Sequence, residues 1–68
     1  MIGRRRLVKP TLGVLIETGC ARSIPAGNVI EIPVAPPQGN RTVDVIWQGE
    51  QLMMFVNDLQ DRSQAIDA

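Results

Sequence analysis

One segment, residues 42–56, constrains the fold more than any other part of the chain. Two apolar-rich runs flank a break at Gln48-Gly49-Glu50, and a polar stretch follows at residues 57–62. Two alternating runs joined by a short turn that contains glycine are typical of a β-hairpin. The turn centres either on Gln48-Gly49, as type I′, or on Gly49-Glu50, as type II′. Both choices place the same side chains on the same face of the hairpin.

The two faces of this hairpin differ in polarity. One face is uniformly apolar, and we expect it to form the core. Its members are Val43, Val45, Trp47, Leu52, Met54 and Val56. The opposite face mixes three polar residues with three large apolar ones. Its members are Thr42, Asp44, Ile46, Gln51, Met53 and Phe55.

The apolar members of the second face, Ile46, Met53 and Phe55, would form a patch that is unusual on a soluble monomer, and such patches mark interaction sites. At about 25 cal/mol per Å², covering a few hundred Å² would contribute several kcal/mol. We therefore expect these three residues to be a self-association interface. The alternative is that Leu7 and Val8, or Ile66, of the same chain cover them.

Upstream of the hairpin, the pattern predicts two further strands. The first covers residues 12–17, where Leu12, Val14 and Ile16 share one face by the two-residue period. The second covers residues 28–33 and follows a proline-glycine turn. Residues 18–23 and 35–40 are predicted loops.

Downstream of the hairpin, Asn57 or Asp58 is expected to cap one helical turn over residues 58–61. A short last strand over residues 63–66 follows, and a helix over residues 58–66 is the alternative. These elements predict an all-β chain of about five short strands with one helical turn before the last.

The length and composition indicate one domain over residues 1–68 with a small core. A chain of this length buries only about 60% of its unfolded surface and is marginal alone. Cys20 is the only cysteine and the chain has no histidine, so neither an internal disulfide nor a structural zinc site is expected. Oligomerisation is then the remaining source of stability. We expect no cofactor and no metal.

The charges balance to zero overall but are segregated along the chain. Residues 1–34 carry five basic and two acidic groups, and residues 35–68 carry two basic and five acidic groups. This pattern is either scatter in a short chain or a sign that opposite halves meet. Residues 1–6 are expected to be a flexible basic arm. Arg4, Arg5 and Arg6, with Lys9, form the candidate nucleic-acid site, since a basic arm contacts phosphates without sequence preference.

An enzyme site is hard to assemble from this composition. Histidine and tyrosine are absent, and Cys20 lies near Arg22 with no general base apparent in the sequence. We therefore name no catalytic residue. Trp47 is expected to be a core anchor, with stacking on a ligand as the alternative. A lone cysteine without an export signal fits a reducing cytoplasm, and no apolar run reaches the length of a membrane span.

The order of these elements, with a proline-glycine turn and a helical turn before the last strand, resembles an SH3-like barrel. Trp47-Gln48-Gly49 and the strand after it are similar to a stretch of the type II dihydrofolate reductases, which are SH3-like tetramers with a shared pore. That family carries a Val-Gln-Ile-Tyr-Pro motif in the pore. The equivalent strand here, residues 52–56, reads Leu-Met-Met-Phe-Val and lacks the Gln, Tyr and Pro. The resemblance therefore implies the fold, but this chain lacks the motif that is associated with the reductase activity.

The sequence thus predicts a self-associating SH3-like barrel that acts as a non-catalytic protein-binding or adaptor module. A nucleic-acid-binding protein that uses the basic arm is the alternative. A small-ligand or enzymatic function in a pore between subunits is a third hypothesis. Folds of this kind host many unrelated functions, so the fold does not choose among them.

Overall fold

The structure of the chain is a computed structural model that describes residues 2–66. It contains seven strands and one helix. They are β1 (Gly3–Leu7), β2 (Thr11–Leu15), β3 (Ala21–Ile24), β4 (Val29–Ile32), β5 (Thr42–Trp47), β6 (Glu50–Phe55), α1 (Val56–Arg62) and β7 (Ser63–Ala65). The all-β class predicted from the sequence is confirmed.

The seven strands form one antiparallel sheet in the order β3-β2-β6-β5-β4-β1-β7. The sheet is not closed, because the two strands at its edges, β3 and β7, do not pair with each other. Central strand β6 lies between β5 and β2, and this arrangement positions the surface described below.

The segment expected to be a flexible arm is instead strand β1, while Met1 lies outside the described residues. Gly3–Leu7 pairs with β4 on one side and with β7 on the other. Alternation along β1 turns Leu7 into the core and leaves Arg4 and Arg6 on the opposite side. The arginine run suggested solvated coil, but only every second side chain of a strand faces the core, so Arg4 and Arg6 can stay in water.

Strand β3 also falls in a segment, residues 18–23, whose sequence predicts a loop. Ala21–Ile24 pairs with β2, with Thr11 opposite Ile24 and Val14 opposite Ala21. Ala21, Arg22 and Ser23 are all exposed, so the segment has no apolar alternation. Strands β1 and β3 account for the difference between the seven strands observed and the five expected.

The hairpin over residues 42–56 forms as predicted. Trp47 lies opposite Glu50, and both turn residues have positive φ, 52° at Gln48 and 77° at Gly49. Positive φ at both central positions defines a type I′ turn, which decides between the two turns that the sequence allowed. Glycine tolerates this conformation without steric cost, whereas Gln48 does not.

The core lies on one side of this hairpin and is closed by side chains from the other strands and from α1. The buried apolar residues are Leu7, Leu15, Ile24, Ile30, Ile32, Val43, Val45, Leu52, Met54 and Leu59. Trp47 and Val56 are partly buried and pack against this cluster. The Trp47 indole N–H donates to the side-chain oxygen of Asn28 at 3.3 Å, so Trp47 anchors the rim of the core, as expected.

Helix α1 begins two residues earlier than the helical turn predicted over residues 58–61 and has a different N-terminus. The cap position is Phe55, whose side chain makes no capping hydrogen bond, so neither Asn57 nor Asp58 is the cap. Asp58 instead lies in the first turn, where its negative charge complements the helix dipole. The short strand β7 follows directly, which favours the predicted last strand over a long C-terminal helix.

Candidate functional site

The outer side of β2, β6 and β5 carries the predicted patch residues and extends beyond them. On β6 and β5, Met53 lies opposite Asp44 and Gln51 lies opposite Ile46. On β2, Val14 lies opposite Met53, and the Ile16 N–H donates to the Gln51 carbonyl oxygen at 3.1 Å.

Continuing this register gives three neighbouring columns of three residues, which we call the open face. Its columns are Leu12, Val14 and Ile16 on β2, then Phe55, Met53 and Gln51 on β6, then Thr42, Asp44 and Ile46 on β5. Six of the nine side chains are apolar.

The apolar side chains of the open face are accessible to solvent. Leu12 is 60% exposed, Phe55 55%, Ile16 48% and Met53 38%, while Val14 and Ile46 are half-buried. Together these four side chains present a few hundred Å² of surface to solvent. Contiguous patches of this size on monomers are often functional.

No segment within residues 2–66 covers the open face. Leu7, one of the candidates for covering it, is buried in the core instead. Val8 remains 44% exposed. Ile66 lies beside β1, near the opposite edge of the sheet, where its N–H donates to the Arg4 carbonyl oxygen at 3.0 Å. Internal cover, the alternative to an interface, therefore does not occur in the described part of the chain.

The sequence identified Ile46, Met53 and Phe55 but missed the contribution of β2. The two-residue period placed Leu12, Val14 and Ile16 on one face, which is confirmed, but it did not say which side that face takes. The core side of β2 carries Thr11, Gly13 and Leu15, of which only Leu15 gives a hydrophobic signal. A Cβ at Gly13 would lie 3.1 Å from Leu52 Cδ2, so a side chain at this position would require Leu52 to shift slightly.

Two clefts border the open face. The first, of about 430 Å³, lies between the end of β2 and the β5–β6 turn and is lined by Ile16, Ile46 and Gln51, among others. The second, of about 310 Å³, lies beside the proline-containing segment 33–40 and includes Asp44 and Gln51 in its walls. Polar and apolar groups are mixed in both clefts, and Asp44 brings a carboxylate to the border of an apolar surface.

The four residues of the candidate nucleic-acid site do not share one environment. Arg4, Arg6 and Lys9 are exposed and form no ion pair within residues 2–66. Arg5 is turned the other way. Its Nε donates to Ser63 Oγ at 2.7 Å, and its Nη2 donates to the Ser63 and Leu59 carbonyl oxygens at 3.1 and 3.5 Å. Arg5 is therefore a structural residue that ties β1 to the end of α1 and to β7.

Within the described residues, the basic N-terminal half and the acidic C-terminal half of the chain form one ion pair. The Arg22 guanidinium lies 3.8 Å from the Glu50 carboxylate, and both side chains are about half exposed, at 50% and 45%. An exposed pair of this kind contributes only about 0–1 kcal/mol. Cys20, the candidate nucleophile that we set aside, is exposed in the β2–β3 turn.

Other functional features are few in the described part of the chain. Within residues 2–66, no group of three or more potential ligands could hold a metal ion. No helix among the same residues is long and apolar enough to cross a bilayer. Comparisons of the chain with family models, curated proteins and solved structures gave no match.

Proposed function

We propose that this chain is a small, non-catalytic protein-binding module that self-associates through the open face. The observation that carries the proposal is the exposure of four large apolar side chains on neighbouring strands, Leu12 and Ile16 with Met53 and Phe55. The supporting physical argument is that water-exposed apolar area of this size is stabilised by contact with another apolar surface.

The size of the patch is consistent with part of an interface. A stable interface buries about 800 Å² on each partner. The exposed apolar area of a few hundred Å² would supply part of this, and the half-buried and polar members of the open face would supply more. A 68-residue chain with a small core also gains more from such contact than a large protein does.

We also propose an SH3-like barrel as the architecture. Three features support it: the β5–β6 hairpin, a short helix immediately before the last strand, and a first strand that pairs with both β4 and β7. Together they bend the sheet around one core. The edges β3 and β7 stay apart, so the barrel we propose is partly open.

The test of self-association is the solution mass of the wild type and of Phe55→Asp, measured by light scattering. We expect the wild type to be a dimer. The dimer dissociation constant of Phe55→Asp should be at least 100-fold higher, because a carboxylate is costly to bury without a partner. Ile2→Asp is the matched control. It adds the same charge at a side chain that is 67% exposed outside the open face, and it should leave the dimer intact.

The circular dichroism spectrum of both variants should match the wild type, since neither residue belongs to the core. A wild type that is monomeric at every concentration tested would refute the proposal. Equal dissociation of Phe55→Asp and Ile2→Asp would place the interface elsewhere.

The second candidate function is binding to the phosphate backbone of nucleic acid. The observation that favours it is that Arg4, Arg6 and Lys9 are exposed without ion pairs in the described chain. Binding would then weaken steeply with salt, because each neutralised phosphate releases a counterion. Arg4→Ala/Arg6→Ala should abolish binding to single-stranded RNA or DNA, whereas Arg41→Ala should not. Absence of any salt-sensitive binding by the wild type would eliminate this candidate.

A further inference from the structure

The polar residues of the open face restrict how a second copy can dock, if the proposed self-association is correct. A twofold dimer presents the same patch on both subunits, so each residue meets a defined position of the partner. Asp44 makes no ion pair within residues 2–66 and lies beside Met53 on the face. A carboxylate that is covered without a hydrogen-bonding partner costs several kcal/mol. The favoured docking is therefore the one that gives Asp44 a partner.

Two simple orientations fail this requirement. A twofold axis parallel to the strands and above β6 exchanges the β2 and β5 columns, so Asp44 would lie against the partner's Val14. An axis perpendicular to the strands, above the row of Val14, Met53 and Asp44, keeps each residue in its own column. Asp44 would then face the partner's Asp44, and the two like charges would repel each other.

Among twofold axes that pass over Met53, the residue at the centre of the open face, the two diagonals remain. Neighbouring strands lie about 4.8 Å apart, and successive residues on one face of a strand lie about 6.8 Å apart. With these spacings, an axis over Thr42, Met53 and Ile16 places Asp44 above the partner's Phe55 and Leu12, which offer no donor.

The other diagonal passes over Leu12, Met53 and Ile46. It brings Asp44 beside the partner's Gln51, and by symmetry it brings Gln51 beside the partner's Asp44. It also brings Phe55 beside the partner's Val14, so that an aromatic ring meets an apolar side chain. The strands of the two sheets then cross at roughly 70°, close to the orthogonal class of sheet packing.

From this geometry we propose that a second copy docks on the open face about the diagonal over Leu12, Met53 and Ile46. The Gln51 side-chain amide N–H of each subunit donates to the Asp44 carboxylate of the other. The dimer then contains two charge-assisted hydrogen bonds, one on each side of the axis. Between them, Leu12, Met53 and Ile46 each contact the same residue of the other subunit. Asp44 selects this orientation among those that the apolar residues alone would allow.

The decisive experiment measures the dimer dissociation constant by sedimentation equilibrium for Gln51→Lys, Asp44→Asn and the double variant. Gln51→Lys places an ammonium beside the partner's carboxylate and should tighten the dimer about fivefold to tenfold, with the gain reduced by salt. Asp44→Asn/Gln51→Lys should lose that gain, because the carboxylate is no longer there.

Thr42→Lys is the matched control. Thr42 lies two residues from Asp44 on β5, so its replacement adds the same charge on the same face and near the same carboxylate. In the proposed docking it does not meet the partner's Asp44, and the dimer should not tighten. Gln51, Asp44 and Thr42 all lie outside the buried core, so these variants should fold.

The outcomes separate this inference from the proposed function. If Phe55→Asp dissociates the dimer but Gln51→Lys does not tighten it, the open face is the interface and the docking orientation is wrong. A gain from Gln51→Lys that survives Asp44→Asn, or an equal gain from Thr42→Lys, would also overturn the orientation. If the wild type does not dimerise, both the proposed function and this inference fail.

Discussion

The inner and outer faces of the β5–β6 hairpin both carry large apolar side chains, but these side chains lie in opposite environments. The inner face carries Val45, Leu52 and Met54, which are essentially inaccessible to water. The outer face carries Met53 and Phe55, one position away on the same strand, and both are exposed. A large apolar side chain is therefore not buried simply because it is apolar. The core is the side to which the rest of the chain folds back.

The difference between the two faces also separates stability from function. Residues on the inner face hold the subunit together, and their substitution should change the free energy of unfolding. Residues on the open face should affect association and leave the subunit folded. Three pairs of substitutions test this separation, and the two members of each pair lie at neighbouring positions. The first pair lies in β6, the second in β1 and the third in the turn that joins β5 and β6.

The largest effect is expected for Leu52→Ala, compared with Met53→Ala. Leu52 is fully buried and packs against Gly13, so its truncation leaves a cavity and should destabilise the subunit by about 2–5 kcal/mol. A domain of this length has a total stability of only about 3–10 kcal/mol, so the variant should be close to unfolded. Met53→Ala should cost less than about 0.5 kcal/mol.

Urea denaturation in the Phe55→Asp background measures both values without a contribution from association. Equal losses at Leu52 and Met53 would show that the outer face is packed as tightly as the inner one, and the distinction between the faces would be wrong.

The hairpin shows which parts of this fold are predictable from sequence. Its alternation and its glycine turn are local signals, and the predicted assignment of Met54 to the core and Phe55 to the outside is confirmed. Strand β3 was missed because Ala21, Arg22 and Ser23 have no apolar period. Its strand conformation depends on pairing with β2, which is a property of the folded sheet.

Candidate site residues were predictable only where the strand containing them was. Ile46, Met53 and Phe55 followed from the hairpin. The contribution of Leu12 required the side of β2 to be known, and that side is set by pairing with β6. The role of Arg5 was missed because its partners, Leu59 and Ser63, lie more than 50 residues away in sequence.

An intermediate effect is expected for Arg5→Ala, compared with Arg4→Ala. Arg5 donates hydrogen bonds to Ser63 Oγ and to the carbonyl oxygens of Ser63 and Leu59 at the end of α1. Removing a charged donor from such partners should cost about 1.5–3 kcal/mol. Arg4 lies on the other side of β1, and its truncation should change stability by less than about 0.5 kcal/mol.

Arg5→Lys separates charge from geometry. A lysine keeps the positive charge but not the planar fork that reaches several acceptors at once, so it should recover less than half of the lost stability. Thermal unfolding of the three variants gives the comparison. If Arg4→Ala and Arg5→Ala behave alike, residues 3–6 are flexible in solution, in agreement with the arm that the sequence predicts over residues 1–6.

The smallest effect is expected at the turn that holds the two faces in register. Gln48 has a φ of 52°, in the left-handed region that side chains rarely adopt, and Gly49 follows with a φ of 77°. Asparagine tolerates the left-handed conformation better than glutamine, and Asn-Gly is the preferred pair in type I′ turns. Gln48→Asn should therefore stabilise the subunit by a few tenths of a kcal/mol to about 1 kcal/mol, as measured by urea denaturation. Gly49→Ala should do the reverse, losing about 1 kcal/mol, because alanine adds a Cβ at a positive φ.

Neither change touches the open face, so the dimer dissociation constant per folded subunit should stay at its wild-type value. A turn variant that altered association as strongly as it altered stability would mean that the register of β5 and β6 is not fixed by the turn. The inner and outer faces would then be two states of one hairpin, since a shift by one residue exchanges every side chain between them.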